Sequence, residues 1–283
     1  MLNDVPSPLA RSADGSLPPG VRPRDPRSGA WRGRPSGGLV TPSLRRFCQV
    51  VLFYILLLHL GAMSLTWNLV CLALYPCLTR AQGVVVGRAA VSSVYRGFWV
   101  CAQWLGLMRI DFGALDTLER DGGLIIAANH PSMLDALLVI ARVPRGICVM
   151  RASLMRSPFL SAGARLARYI RNDPPRAMIR SCVADLRRGG QLVWFPEGTR
   201  TVREPINPFR PGMTLIAHMA QVPIQTVFIR SGSPYLGKGW PIWRTPEFPV
   251  VFEVRLGERF APEANHHGLL ERVEAYFTEE LRR

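Results

Sequence analysis

Formal charge is absent from one long stretch of this sequence. From residue 47 to residue 78 there is not one aspartate, glutamate, lysine or arginine. A membrane-spanning helix needs about 20 apolar residues, so the stretch is long enough for one span. Polar breaks at 59–61 and 67–68 leave three interpretations open: one tilted span, two shorter helices that enter one leaflet and return, or a helical hairpin in a soluble core. Arginines on both flanks favour the re-entrant form, with both flanks on the cytoplasmic side.

Several kinds of functional site lack their sequence signature. The six cysteines form no Cys-x-x-Cys pair, which argues against a disulfide framework and against a zinc site. No Gly-x-Ser-x-Gly segment occurs, and that segment carries the nucleophile of many serine hydrolases. No basic run alternates with aromatic residues as in a nucleic-acid groove. The sequence therefore predicts neither a bound metal nor a nucleic-acid partner.

Acidic residues are few. The chain of 283 residues has 20 Asp and Glu against 35 Lys and Arg, and its formal net charge is +15. This excess favours anionic partners such as phospholipid surfaces, phosphorylated substrates or acidic carrier proteins. Residues 1–43 combine Pro, Gly, Ser and Arg with almost no large apolar side chains. Such a segment cannot bury enough surface to offset the entropy lost on ordering, so we predict a disordered tail.

Two further regions follow the tail. We predict a membrane-associated helical region over 44–110, which includes an amphipathic helix at 91–109. Over 111–283 predicted strands and helices alternate, which is typical of an α/β domain with a mostly parallel mixed sheet flanked by helices. The predicted strands are 124–128, 147–150, 191–195, 224–229 and 250–256, and the predicted helices are 133–142, 176–188, 212–220 and 266–281. Functional groups then belong at the carboxyl ends of the strands.

The first candidate site is the segment Asn129-His130-Pro131-Ser132-Met133-Leu134-Asp135, directly after a predicted strand. Pro131 cannot continue the strand, and Ser132 is a suitable N-cap for the helix predicted from residue 133. With His130 on the incoming turn and Asp135 in the first helical turn, the carboxylate can fold back to the ring. There it would fix the imidazole tautomer and stabilise the protonated form, as in a Ser-His-Asp triad. A histidine held in this way is a candidate general base for a hydroxyl.

The second candidate site lies 67 positions later, in Phe195-Pro196-Glu197-Gly198-Thr199-Arg200. It also follows a short apolar run. Gly198 permits close approach of the backbone, and Thr199 and Arg200 offer a hydroxyl and a guanidinium to a phosphate. Together the two motifs suggest acyl transfer to an alcohol that carries a phosphate.

The order and spacing of the two motifs resemble the glycerolipid acyltransferase family, typified by the 1-acylglycerol-3-phosphate acyltransferases. The resemblance runs from about residue 106 to residue 230. It implies that His130 and Asp135 are catalytic. It also implies that four residues of the second motif line the acceptor pocket: Glu197, Gly198, Thr199 and Arg200.

Two weaker matches lie between the motifs. Residues 148–154 resemble a family segment whose lysine, at the position of Arg151, helps to bind the acceptor phosphate, and arginine keeps the charge but not the geometry. Residues 169–172 resemble the Phe-Ile-Asp-Arg block of the family, with Asn172 where the arginine is expected and Arg171 one place early. The resemblance thus implies that Arg151 and Arg171 also bind the acceptor, and the departure leaves the identity of the acceptor open.

The resemblance implies an O-acyltransferase that moves a fatty acyl chain from acyl-CoA or acyl-carrier protein to the free hydroxyl of 1-acylglycerol 3-phosphate, forming phosphatidate. No tightly bound cofactor is implied. The partners are then a lysophospholipid, the acyl donor and a membrane, and we expect the protein at the cytoplasmic face of the inner membrane. Two alternatives stay open: the same chemistry on another lysolipid, such as a lyso-aminolipid, and a non-catalytic lipid-binding membrane protein. Intact His130, Asp135 and Glu197 argue against the second.

Overall fold

A seven-stranded sheet organises this protein, whose computed structural model describes residues 42–283. The tail predicted over 1–43 therefore lies outside the described residues, apart from its last two positions. The strands are β1 Met108–Ile110, β2 Leu124–Ala128, β3 Gly146–Met150, β4 Ile170–Arg171, β5 Gln191–Trp194, β6 Ile224–Ser231 and β7 Val250–Phe260. Their spatial order is β1-β7-β6-β2-β5-β3-β4, and neighbours are parallel except for β6 and β7. The predicted mostly parallel mixed sheet is confirmed.

Helices cover both faces of this sheet. They are α1 Pro42–Leu74, α2 Arg80–Trp104, α3 Gly113–Asp116, α4 Asp135–Ile140, α5 Ser161–Leu166, α6 Pro175–Leu186, α7 Gly212–Ala220 and α8 His266–Arg282. Successive side chains of a strand point to opposite faces. In β2, Ile126 and Ala128 accordingly join the core on the side of α1, α2 and α4, whereas Ile125 and Ala127 join the core on the side of α6, α7 and α8. An uninterrupted apolar strand is what burial on both faces requires.

The predicted elements differ from the observed ones at a few points. The sequence did not predict β1 and β4, because runs of three and two residues carry no readable periodicity. The helix predicted at 91–109 is α2, which begins at Arg80. It begins there because Thr79 and Gln82 form a capping box: the Thr79 hydroxyl accepts the N–H of Gln82, and the Gln82 side chain accepts the N–H of Thr79.

The uncharged stretch forms one uninterrupted helix as far as Leu74, so its interpretation as two shorter helices is wrong. With 33 residues, α1 is about 50 Å long at a rise of about 1.5 Å per residue. Only 11% of its most apolar window is buried, which contradicts the interpretation as a helix of a soluble core. By length and composition it is the one helix within residues 42–283 that could cross a membrane.

Asn68, which interrupts the apolar stretch in the sequence, connects α1 to the segment that begins α5. Its side-chain amide donates to the carbonyl of Pro158 at 2.6 Å. Its carbonyl oxygen accepts the backbone N–H groups of Ala162 at 2.6 Å and Gly163 at 3.2 Å. The first N–H groups of a helix have no partner inside the helix. Asn68 therefore caps α5 from a distant part of the chain and ties α1 to the α/β part of the protein.

An ion pair and a hydrogen bond of Arg88 connect α2 to the α/β part of the protein. The Arg88 side chain is 6% exposed and donates to both carboxylate oxygens of Asp185 in α6, at 2.6 and 3.0 Å. Its Nε donates to the carbonyl of Ala167 at 3.1 Å. A buried guanidinium needs this degree of hydrogen bonding. The ion pair fixes α2 over α5 and α6.

Candidate active site

The two motifs lie side by side because β2 and β5 are neighbouring parallel strands. Their register pairs Ala127 with Trp194. The offset between these residues is 194 − 127 = 67, and the same offset separates His130 from Glu197. Both motifs leave their strands at the carboxyl edge, where the ends of parallel strands meet. The sheet register thus converts a distance of 67 positions in sequence into direct contact.

His130 and Asp135 form a hydrogen-bonded pair. The distance from His130 Nδ1 to Asp135 Oδ2 is 3.0 Å, and the Asp135 side chain is fully buried while that of His130 is 17% exposed. Asp135 is the first residue of α4, two positions after the predicted start at residue 133, and α4 also ends earlier than predicted, at Ile140. The N-cap of α4 is Leu134 and not Ser132, whose hydroxyl accepts the N–H of Leu134 at 3.3 Å and whose own N–H donates to Asp135 Oδ2 at 2.7 Å. With Nδ1 engaged, the second ring nitrogen of His130, Nε2, is left for a substrate.

The carboxyl of Asp135 is desolvated. Burial raises its pKa from 3.8 to about 6, and the hydrogen bond from His130 opposes part of that rise. The ionised carboxylate is thus costly in this place unless the neighbouring ring carries positive charge. Protonation of the imidazole during proton transfer supplies that charge, so the pair is arranged to stabilise the protonated histidine.

The second motif holds the backbone of His130. The N–H of His130 donates to Glu197 Oε1 at 3.0 Å, and its carbonyl accepts the N–H of Thr201 at 2.8 Å. The ring of His130 stacks on Phe195, with 4.1 Å between ring centroids. Backbone and ring of the histidine are therefore both positioned by the segment that follows β5.

Glu197 is committed to protein contacts. It is 2% exposed. Besides the N–H of His130, it accepts the Thr201 hydroxyl at 2.7 Å and two bonds from Asn207, from the backbone N–H at 2.9 Å and the side-chain amide at 2.7 Å. The resemblance implied that this residue lines the acceptor pocket. In the structure Glu197 joins three loop segments and is absent from the cavity lining formed by the described residues.

His130 opens into a cavity of about 1120 Å³. Part of the lining is apolar and comes from α1 and α2. These side chains include Phe53, Leu56, Leu60, Val91 and Phe98. Another part is cationic and consists of Arg151, Arg200, Arg210 and Lys238. One histidine therefore faces a space that suits both an apolar chain and an anionic group.

The other predicted binding residues divide into two groups. Arg151, Gly198, Thr199 and Arg200 line the cavity. Arg171 does not belong to this lining and pairs instead with Asp173 at 2.9 Å. The following residue, Asn172, does line the cavity. Arg200 also has a structural contact, because its Nη1 donates to the carbonyls of Leu236 and Gly237 at 2.8 and 2.9 Å. The structure thus brings together most of the residues of the two motifs but not Arg171.

Comparison with known proteins agrees with this geometry. Residues 109–230 match the acyltransferase family model. The matched segment of this chain is an acyltransferase domain. It is 32% identical over 136 residues to a 1-acyl-sn-glycerol-3-phosphate acyltransferase of Helicobacter pylori, which is 46% of this chain and 57% of the relative. It is 31% identical over 153 residues to the lysophospholipid acyltransferase LPCAT4 of Mus musculus, which is 50% of this chain and 28% of the relative. The chain thus spans less than two thirds of either relative.

A solved structure shows the same fold as this acyltransferase domain and its helical segment. The crystal structure of the 1-acyl-sn-glycerophosphate acyltransferase PlsC from Thermotoga maritima superposes with a TM-score of 0.61. The match covers 85% of this chain and 96% of that chain at 19% sequence identity. The likeness establishes the architecture, while the chemistry depends on the residues described above.

Two cations of the cavity lining, Arg210 and Lys238, were not among the predicted binding residues. Arg210 lies across Gly198: a Cβ added at residue 198 would be 2.8 Å from Arg210 Nε. Gly198 has φ +69°, so it provides both the left-handed backbone and the space for this guanidinium. Lys238, the other missed cation, is on the loop between β6 and β7. The segment Pro208-Phe209-Arg210-Pro211-Gly212 resembles the fourth block of the family, which predicts that it shapes the pocket, but the resemblance does not imply a contact between Arg210 and Gly198.

Proposed function

We propose that this protein is a membrane-associated O-acyltransferase that esterifies the sn-2 hydroxyl of 1-acylglycerol 3-phosphate with a fatty acyl group from a thioester, forming phosphatidate. The observation that carries the proposal is the His130–Asp135 pair at a cavity with an apolar and a cationic lining. The donor is acyl-CoA or acyl-carrier protein. The relatives named for acyl transfer to lysophospholipids support the same reaction class.

In this mechanism His130 acts as the general base. Its Nε2 takes the proton of the acceptor hydroxyl, and the oxygen attacks the carbonyl carbon of the thioester. A C–O bond forms, the C–S bond breaks, and the leaving thiolate recovers the proton from the imidazolium. Asp135 holds Nδ1 and stabilises the imidazolium through its charge. General-base catalysis of this kind contributes about 10²- to 10⁴-fold to the rate.

The cationic lining supports a phosphorylated acceptor. Arg151, Arg200, Arg210 and Lys238 border the same cavity as His130. A charge-assisted hydrogen bond to an anion contributes about 1.5–3 kcal/mol, or about 10- to 150-fold in affinity. An acceptor that carries a phosphate near its free hydroxyl can therefore be oriented toward Nε2 by these groups.

The helical segment supports membrane association. The length of α1 exceeds the roughly 30 Å hydrocarbon core of a bilayer, and most of its large apolar side chains are exposed. Arg45 and Arg46 precede the uncharged run, and Arg80 follows it. The arginines that follow α1 favour the cytoplasmic side for the α/β part of the chain. We propose that this part lies at the cytoplasmic face of the inner membrane.

A second candidate has the same chemistry on a different lysolipid. It is favoured by Asn172, which lines the cavity at the position where the family block leads us to expect arginine. An amide at this place suits an acceptor with fewer negative charges or with a hydrogen-bonding head group. The mouse relative, named as a lysophospholipid acyltransferase, is consistent with acceptors other than 1-acylglycerol 3-phosphate.

An acceptor panel tests the proposal. The purified full chain is given acyl-CoA or acyl-carrier protein and one of three acceptors: 1-acylglycerol 3-phosphate, monoacylglycerol or a lyso-aminolipid. Products are identified by lipid mass spectrometry. We expect phosphatidate as the main product, formed about 10²- to 10⁴-fold more slowly by His130→Ala. Equal use of monoacylglycerol and of the phosphorylated acceptor would contradict the assigned head group, and a preference for the lyso-aminolipid would establish the second candidate.

A further inference from the structure

The loop between β6 and β7 exposes two large apolar side chains. Residues 232–249 form this loop, and within it Ile242 is 48% exposed and Trp243 is 69% exposed. Exposed tryptophan is costly in water and is typical of side chains that sit at a membrane interface. The position of the loop relative to the active site and to α1 determines what it can contact.

One end of the loop is fastened to the active site. The hydroxyl of Ser132 donates to the carbonyl of Tyr235 at 3.0 Å, and the N–H of Met133 donates to the carbonyl of Leu236 at 3.0 Å. Arg200 adds its two bonds to the carbonyls of Leu236 and Gly237. Both catalytic motifs therefore hold the same short segment of the loop.

The other end is fastened to α1. The hydroxyl of Tyr54 donates to the carbonyl of Trp243 at 2.8 Å, and Tyr54 is itself 46% exposed. Phe53 packs on Phe248 with 5.5 Å between ring centroids. The exposed side chain of Tyr54, on a helix that also exposes Ile55 and Leu58, therefore adjoins the loop at Trp243.

The loop also carries positive charge next to its apolar side chains. The guanidinium of Arg244 lies 4.4 Å from the ring centroid of Trp240, and that of Arg46 in α1 lies 5.4 Å from the ring centroid of Phe248. Lys238 is exposed and lines the cavity. Arginine or lysine beside interfacial aromatic side chains is suited to an anionic lipid surface, which attracts cations near it.

We propose that this loop is a second membrane-contact element, in which Trp243 enters an anionic phospholipid bilayer and Lys238 and Arg244 meet its head groups. The proposal rests on the membrane-bound reaction proposed above. Ile242 and Lys238 both line the cavity of His130, so a lysophospholipid leaves the bilayer between α1 and the loop. The loop then serves as the entrance for the acceptor, while the bonds from Ser132, Met133 and Arg200 hold that entrance against the catalytic pair.

Trp243→Ser tests the proposal, because the Trp243 side chain is exposed and does not line the cavity. Two acceptors are compared: long-chain 1-acylglycerol 3-phosphate in phosphatidylglycerol–phosphatidylethanolamine vesicles, and a short-chain analogue that is monomeric in water. We expect Trp243→Ser to lower kcat/KM for the vesicle-borne acceptor by about tenfold, the factor that burial of one large apolar side chain supplies, and to leave the short-chain acceptor unchanged. Met219→Ser, which removes another exposed apolar side chain from α7, is the control and should change neither value.

A direct readout keeps the test independent of activity. Vesicles with brominated acyl chains quench tryptophans that enter the bilayer, so wild type should lose more fluorescence than the conservative Trp243→Phe variant. Equal quenching, or equal loss of activity on both acceptors, would overturn the proposal. Loop-dependent quenching in a protein that transfers no acyl group would leave the membrane contact standing and reject the proposed reaction. An active wild type whose Trp243 is not quenched would reject the membrane contact and leave the proposed reaction standing.

Discussion

Glu197 accepts the backbone N–H of His130 at 3.0 Å, so the second motif positions the first. The same carboxylate binds Thr201 and Asn207 and makes four hydrogen bonds in all. An ionised carboxylate is acceptor-only and can satisfy all four donors, whereas an amide cannot. The acidic residue of this motif is therefore explained by the hydrogen bonds that it accepts from the histidine loop and its neighbours.

Glu197→Gln tests this positioning role. The amide nitrogen cannot accept two of the four bonds, and each buried donor left unpaired costs about 1–3 kcal/mol. We expect a lower melting temperature and a lower kcat, with the KM for the acceptor nearly unchanged, measured by thermal unfolding and steady-state kinetics. A raised KM in a protein with wild-type stability would show that Glu197 contacts the acceptor after all.

The His130–Asp135 pair should limit activity at low pH. Burial raises the pKa of Asp135 to about 6, so this carboxyl takes up a proton as the pH falls through that value and loses the charge that stabilises the imidazolium. We expect kcat/KM to fall on the acid side with an apparent pKa that belongs to the pair. Asp135→Asn should lower turnover at every pH and abolish the carboxyl's contribution to the profile. An acid limb unchanged in Asp135→Asn would assign it to another group.

The raised pKa of Asp135 also predicts in which direction the free energy of unfolding changes with pH. Between pH 3.8 and about 6 the folded protein holds the Asp135 proton while the unfolded chain has released it. The native state then binds more protons, so the contribution of this carboxyl to the free energy of unfolding falls as the pH rises through that window. Denaturation of wild type and Asp135→Asn at about pH 4 and about pH 7 should show the variant gaining stability relative to wild type at the higher pH.

The Arg88–Asp185 ion pair should contribute far more to the free energy of unfolding than an ion pair on the surface. Its side chains are 6% and 19% exposed, and removal of one partner leaves a buried charge without compensation. We expect Asp185→Asn to lower the free energy of unfolding by about 3–5 kcal/mol at most, and less to the extent that water reaches Asp185. The control is Asp116→Asn, which breaks an exposed pair with Arg142 and should cost under about 1 kcal/mol. Similar losses in both variants would contradict this ranking.

Asn68→Leu separates the two roles of α1. The substitution makes the helix more apolar, which would strengthen membrane insertion, but it removes two hydrogen bonds to the start of α5 and a third to the carbonyl of Pro158. We expect a lower melting temperature in detergent, since two backbone N–H groups lose their acceptor. The exposed Leu69→Ala change is the control and should be nearly neutral. An Asn68→Leu protein as stable as wild type would mean that α5 is held by packing alone.

Arg210 should contribute to recognition of the acceptor phosphate. Arg210→Gln shortens the side chain only slightly and removes the charge beside Gly198, so we expect the KM for 1-acylglycerol 3-phosphate to rise about tenfold and the preference over monoacylglycerol to shrink. Arg203→Gln, an exposed arginine outside the cavity lining, provides the matched control. An unchanged acceptor preference in Arg210→Gln would leave Arg151, Arg200 and Lys238 as the phosphate ligands.

Patterns among residues that are close in sequence account for most of the correct predictions. The apolar runs of β2 and β5, the alternation of strands and helices and the spacing of His130 and Asp135 all depend on neighbours in sequence. The fold class and the location of both motifs at strand ends could therefore be predicted. Helix limits were less accurate, because the start of α4 depends on Asp135 accepting the N–H of Ser132, and the start of α2 depends on a capping box.

The residue pattern alone was enough to predict a histidine with a carboxylate, a cationic turn and an uncharged helix. The contacts of these groups become visible only in the folded protein: Glu197 holds the backbone of His130, Arg210 lies against Gly198, Asn68 caps α5, and Arg171 lies outside the cavity lining. The reason is physical. A hydrogen bond or ion pair stabilises the fold only where packing brings its partners together and removes water, and the order of strands in the sheet decides which distant residues meet.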